Sequence, residues 1–312
     1  MSHRDSFIKR NMDYSQPLNL FNVGFIGSLG GADIINGVFG GGGGPASNVL
    51  DYIDIATTGD ATDFGDLTVA REGLAGNMSN GTRGVFAGGA SAAGRDDVMD
   101  YITIATAGDA TDFGNLTVVK YFIAGLSSDT RGVIAGAFYP VTDVIEYITI
   151  ASTGNASDFG DLTAIRHSIG GVSNDTRGIW TGGSGPYDIM EYITIASTGN
   201  STDFGNLTVA RKSPTGVASD TRAVSCGGEN DSGKSNVMDY VTIASTGNAS
   251  DFGDLTSARW HPGGVSNLTR GVLGGGEAAT DIMDYITIAT TGNATDFGDL
   301  TVSRTSAAGV SA

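Results

Sequence analysis

The chain has 312 residues, including 49 glycines, 6 prolines and one cysteine, with 40% hydrophobic residues and a formal net charge of −17. That apolar share is enough for a core, glycine without matching proline means many tight turns rather than a collagen-like fibre, and a lone cysteine excludes an intrachain disulfide. The acidic balance repels nucleic-acid phosphates and anionic membranes, and no stretch approaches the ~18 apolar residues of a membrane span.

Residues 1–34 lie outside the pattern that follows. MSHRDSFIKRNMDY is charged and LNLFNVGFIGSLGG is apolar. The segment lacks the apolar run of a secretory signal. An apolar segment beside a finished domain needs a cover: residues 1–34 are expected to dock on a partner protein, the alternative being that they pack on one face of the domain itself. Residues 35–312 are the expected folded domain.

The domain opens with INGVFGGGG from Ile35, a short apolar run ended by glycines, which reads as a buried strand. After GGGGPASN comes DYIDIATTGDATDFGDLT from Asp51. Its first half is β-branched and aromatic, a second strand. TGDATDFG is turn chemistry, and Leu-Thr-Val leads into a third strand. REGLAGNMSN from Arg71 then supplies the first strand of the next unit.

The unit recurs six times, with tyrosines at Tyr52, Tyr101, Tyr147, Tyr192, Tyr240 and Tyr285, each followed twelve residues later by a phenylalanine. The apolar strand recurs as RGVFAGG from Arg83, RGVIAGA from Arg131, RGIWTGG from Arg177, RAVSCGG from Arg222 and RGVLGGG from Arg270. A period of ~40–50 residues with four strands per unit describes propeller blades, which are stable only when stacked between neighbours. In DYITIA, the tyrosine is expected to face one neighbouring blade and the two isoleucines the other. The tail RTSAAGVSA matches the first strand of a blade (compare RHSIGGVSND from Arg166). The expected fold is therefore all-β: a six-bladed propeller in which the C-terminal strand completes the blade begun by residue 36 and removes the sheet edges.

The pattern resembles kelch repeats over residues 35–312. Double glycines follow the second strand at Gly88–Gly89, Gly182–Gly183, Gly227–Gly228 and Gly275–Gly276. A tyrosine lies in the third strand, an aromatic precedes the fourth, and a basic residue follows it at Arg71, Lys120, Arg166, Arg211, Arg259 and Arg304. The aromatic is Phe where kelch blades have Trp. The recurring YITIASTGN…DFGDLT phrase is also similar to repeat proteins of marine tailed bacteriophages. That resemblance implies a virion component of tail, tail fibre or capsid surface. The expected partners are other virion proteins, met through the N-terminal segment, with a host-surface glycan or receptor as the further candidate.

Several clusters could carry chemistry. Asp60, Asp63 and Asp66 invite a calcium reading, yet four of the six copies place Asn at the Asp60 position, which suits a turn cap better. Arg83, Arg131, Arg177, Arg222 and Arg270 are expected to form structural ion pairs with the acids before Tyr or before Phe, since buried charges need partners. His3, His167 and His261 are too few for a metal site. Cys226 reads as a small core residue. No catalytic constellation, metal or cofactor is expected. Blades differ most in the loop after the double glycine, and variable loops on a fixed scaffold are where binding surfaces sit. Phe138, Tyr139, Pro140, Pro186 and Tyr187 are the candidate contact residues there. The expected function is non-enzymatic, a virion structural protein. A glycan-binding host-recognition module is the alternative, and a glycan hydrolase, which needs two carboxylates ~5–10 Å apart, is a more remote one.

Overall fold

A computed structural model describes residues 36–185, 187–277 and 279–312. The expected docking segment 1–34 and the candidate contact residue Pro186 lie outside these residues. The described residues form six four-stranded antiparallel sheets and two short ribbons, with no helix among them. Blade two is typical, running Ala75–Ser79, Arg83–Ala87, Val98–Thr103 and Thr111–Asn115 from the axis outward. Blades three to six occupy 124–161, 170–206, 215–254 and 263–304. Innermost strands neighbour one another in a closed cycle, so the sheets stack as a six-bladed propeller.

Blade one is closed by the C-terminus. Ala308–Ser311 is its innermost strand and pairs antiparallel with Gly37–Gly40, with Gly37 opposite Ser311 and Gly40 opposite Ala308. First and last residues of the propeller are thus joined by a strand ladder, and no blade edge faces a gap.

Packing between blades follows the alternation of DYITIA. Met99 and Tyr101 face blade three, where they meet Ile134, Ile148 and Ile150. Ile102 and Ile104 face blade one, against Leu50, Phe64 and Leu67. Six such clusters fill the six wedges. Each Tyr meets its Phe edge to face at centroid distances such as 6.1 Å for Tyr101–Phe113. That Phe is the extra residue of a β-bulge. In blade one, Leu50 pairs with Gly65 and Asp51 with Asp63, so Phe64 is unpaired and turns into the wedge.

The buried charges are paired between blades, by a different basic series from the one expected. Arg71–Asp100, Lys120–Glu146, Arg166–Glu191, Arg211–Asp239, Arg259–Asp284 and Arg304–Asp51 form six ion pairs, with every side chain at 1% exposure or less. In each, a base at the end of one blade's outer strand (Arg71, Arg304) or in the link just after it meets the acid before Tyr in the next blade. Arg71 also donates to the carbonyls of Gly88 and Val98. The acid is held as well by a threonine of the DFGDLT phrase, as in Thr68–Asp100 and Thr301–Asp51. Burial pushes the Asp51 and Asp100 carboxyls up and the Arg71, Arg166, Arg211, Arg259 and Arg304 guanidiniums down, against the facing charge.

Arg83, Arg131, Arg177, Arg222 and Arg270 make no ion pair among the described residues, which corrects the expectation. Each guanidinium lies over its own blade's tyrosine, at 4.1–4.4 Å from the ring centroid. Each donates to a main-chain carbonyl of the following blade: Ile150, Ile195, Ile243, Ile288 and, across the closure, Ile55 and Ala56. These heads are only half-buried, so a ring face and a carbonyl satisfy them without a carboxylate.

The Asp-rich turn is a third clip. Asp60, Asp109, Asn155, Asn200, Asn248 and Asn293 each accept the main-chain N–H of a residue on the preceding blade's outer strand. Only an acceptor oxygen is needed, which is why Asp and Asn interchange there.

Candidate functional site

Two mouths open at the ends of the central axis, and a glycine collar separates them. A Cβ on Gly125 would come within 2.0 Å of the Gly76 carbonyl oxygen, and the same crowding recurs at Gly76, Gly171, Gly216, Gly264 and Gly309. Backbone meets backbone around the axis, so chemistry is confined to the two faces.

One face carries the loops between second and third strands together with the links from each blade to the next. They are bonded to each other all the way round. Examples are Phe138 N–H to the Tyr121 carbonyl, Ser184 N–H to His167 and Glu277 N–H to Trp260. At the centre of this face Gly73, Phe122, Ser168, Ser213, His261 and Ser306 form a closed cycle, each N–H donating to the preceding member's carbonyl at 2.6–3.2 Å. All six have positive φ, from 50° to 62°. Left-handed backbone is costly for the five that are not glycine, and here the cyclic bonding enforces it.

The side chains of this cycle break the sixfold repetition. The residue preceding each member and the member itself read Glu72-Gly73, Tyr121-Phe122, His167-Ser168, Lys212-Ser213, Trp260-His261 and Thr305-Ser306. Aromatic pairs therefore fall at two positions only, and those positions are diametrically opposite. Phe122 and His261 reach across the axis and stack, centroids 4.6 Å apart. Gly73 is glycine because the Phe122 ring occupies the space of its side chain; a Cβ there would meet that ring at 2.9 Å.

Further rings extend the stack in both directions. Tyr121 lies 4.2 Å from Phe122, and Arg95 covers Tyr121 at 5.7 Å and Tyr139 at 4.1 Å. Phe138 meets Tyr121 at 5.4 Å and His167 at 4.6 Å. On the far side Trp260 lies 4.8 Å from His261, and the Lys212 ammonium sits 5.0 Å above the indole. The result is one aromatic strip across the diameter of the face. Blades two and five, again opposite, raise two-stranded ribbons beside it, Ala90–Ser91 with Gly94–Arg95 and Glu229–Asn230 with Gly233–Lys234.

Of the expected contact residues, Phe138, Tyr139, Pro140 and Tyr187 are exposed on this face. Phe138 and Tyr139 belong to the strip. Tyr187 packs instead beside Gly185 of its own loop. Arg95, Tyr121, Phe122, Lys212, Trp260 and His261 were not singled out from the sequence as contact residues. Aligning the two residues after each basic residue was the signal that could have found all of them but Arg95, which lies in the loop ribbon of blade two.

No family model matches this chain, and no curated protein matches it.

The serines and histidines at this mouth are bonded in pairs: Ser213 Oγ to His261 Nε2 at 2.8 Å, and Ser168 Oγ to His167 Nδ1 at 3.0 Å. Burial and the Lys212 charge push the His261 imidazole down to about 3, and His167 is lowered for the same reasons. Among the described residues no carboxylate bonds to either ring. In a Ser–His–acid triad a carboxylate orients the ring and stabilises the imidazolium; at these two rings burial disfavours the imidazolium. Cys226 is fully buried with its thiol pushed up to about 12, which makes it inert.

The opposite mouth mixes hydroxyls and carboxylates with apolar side chains such as Val172, Val217 and Leu268. Ser127 and Ser173 bridge the innermost strands through their hydroxyls, and Asp129, Asp175 and Asp220 line the opening on consecutive blades. The Asp175 carboxyl is raised by burial and by its two neighbours. Among the described residues no group of His, Cys, Asp and Glu is arranged to hold a metal ion.

Proposed function

We propose that this chain is a non-enzymatic binding module, a stiff disc that presents one face to a partner, and that it serves as a structural component of a phage virion. The observation carrying the first half is that on the loop-bearing face the sixfold repetition fails toward aromatic side chains, half-buried at Tyr121, Phe122, Trp260 and His261 and exposed at Phe138 and Tyr139. Framework residues repeat because every wedge poses the same packing problem. A strip that appears at two opposite positions answers no such problem. Loops bonded all round to a closed propeller lose little entropy on association, and rings with polar tips are favoured at contact centres. The virion assignment rests on the similarity of the repeated phrase to tailed-phage repeat proteins. In it, residues 1–34 anchor the disc to other virion subunits. Immunogold labelling of assembled particles with antibody to the propeller tests it. Labelled tails, fibres or capsids are expected, and uniformly unlabelled particles overturn the assignment.

A further inference from the structure

We infer that the strip is a binding site for a neutral, linear glycan chain, a reading that rests on the module being a binder rather than a catalyst. A pyranose ring offers an apolar C–H face and a rim of hydroxyls. It therefore fits a surface where flat rings alternate with polar and charged heads. This face has that composition: Tyr139, Tyr121 and Trp260 supply ring surface and Arg95 and Lys212 the charged heads, while Ser168, Ser213 and Ser306 lie buried at the axis. The stack of Phe122 on His261 makes the two halves continuous, so the site suits a chain of several sugars rather than a single one.

Charge argues against the competing ligands. Among the described residues six basic side chains are locked in buried ion pairs and five lie on framework tyrosines. The remaining three, Arg95, Lys212 and Lys234, all lie on this face. Arg95 covers tyrosines, Lys212 pairs with Glu229 at 3.1 Å, and Lys234 donates to the Glu277 carbonyl. Three engaged cations on a chain of net charge −17 do not make a track for a nucleic acid, whose binding depends on neutralising many phosphates. An apolar peptide helix would seek aliphatic side chains. Of these, Leu268 at 66% lies at the opposite mouth and Ile165 at 55% lies just before the buried Arg166, outside the strip; Val141 at 50% stands beside the strip, bridged to Phe138, as a single aliphatic contact rather than the row a helix needs.

The chain carries its own reporter. It has two tryptophans, Trp180 is fully buried, and Trp260 is in the strip, so a ligand-induced change in emission reports on this face. The test is titration of the full chain with chitohexaose, cellohexaose and maltohexaose. Saturable quenching by at least one is expected, with the corresponding trisaccharide binding more weakly. Tyr139→Ala should weaken that binding about tenfold, as for a contact-centre aromatic. Phe122→Ser should remove the advantage of six sugars over three. Leu268→Ser, at the other mouth, should leave it unchanged, and a melt of each variant separates loss of binding from loss of fold. No response to any hexasaccharide at millimolar concentration, or quenching that Tyr139→Ala and Phe122→Ser leave untouched, overturns the inference. Particles that label with antibody while the sugars fail would point to a protein partner on the strip and leave the virion reading standing. Sugar binding with unlabelled particles would do the reverse.

Discussion

The wedges between blades and the loop-bearing face are built from the same six repeats, yet they obey different symmetries. In the wedges each clip occurs all the way round the ring: the base–acid pairs, the Asx caps and the Tyr–Phe contacts. Sixfold geometry permits this because every neighbour relation is identical. On the loop-bearing face the backbone keeps the sixfold cycle from Gly73 to Ser306, but the side chains fall to an approximate twofold. The lesson is that repetition marks what the ring needs to stand, and departure from it marks what the ring is free to use.

Breaking a wedge clip should cost most. Asp100→Leu leaves the Arg71 guanidinium buried and unpaired, so about 3–5 kcal/mol of stability should be lost. The double variant Arg71→Met, Asp100→Leu should recover most of it, read by urea denaturation. If the single and double variants melt alike, the pair is not the seat of the effect.

The axial collar comes next. Gly125→Ala drives a Cβ against the Gly76 carbonyl and should cost about 1–3 kcal/mol by overpacking. Gly59→Ala, with open space around it, should stay within ~0.5 kcal/mol.

The stacked arginines test a finer distinction. Arg177→Met forfeits a ring contact and the bond to the Ile243 carbonyl, worth about 1–2 kcal/mol together. Because no carboxylate is involved, that loss should not depend on salt; a deficit that disappears in high salt would restore the ion-pair reading.

On the face itself, His261 should be visible in acid. Its folded value of about 3 lies below the usual 6.5, so between those limits the unfolded chain takes up a proton that the folded chain refuses. Stability should therefore fall as pH drops through that window, and His261→Asn should flatten the fall in melts taken at successive pH values.

The smallest effect is expected at the turn cap. Asp60→Asn should be neutral within ~0.5 kcal/mol, because an amide oxygen accepts the Asp299 N–H as well as a carboxylate does. Added calcium should not shift the melt of either form.

Much of this was legible beforehand. The spacing of Tyr52 to Tyr285 counts the blades, the alternation in DYITIA assigns its two faces, and RTSAAGVSA supplies the missing strand. The base–acid ring was legible in kind but not in membership. Arg83 and Arg71 both precede Asp100 in the chain and both are cations. Which one meets it depends on how far the outer end of one blade reaches over the next, a distance that a linear pattern does not encode. The contact face was legible where a loop carried obvious aromatics, as at Phe138 and Tyr139. It was missed where Tyr121-Phe122 and Trp260-His261 looked like ordinary variation between repeats.

By itself the sequence determined the blade count, the strands and the closure, because local alternation and repetition are one-dimensional properties that stacking must satisfy. Only the tertiary structure decided that residues 122 and 261, nearly half the chain apart, touch. Closing the ring brings opposite blades to a common axis, and there the position of a blade around the circle, not its distance along the chain, sets which side chains meet.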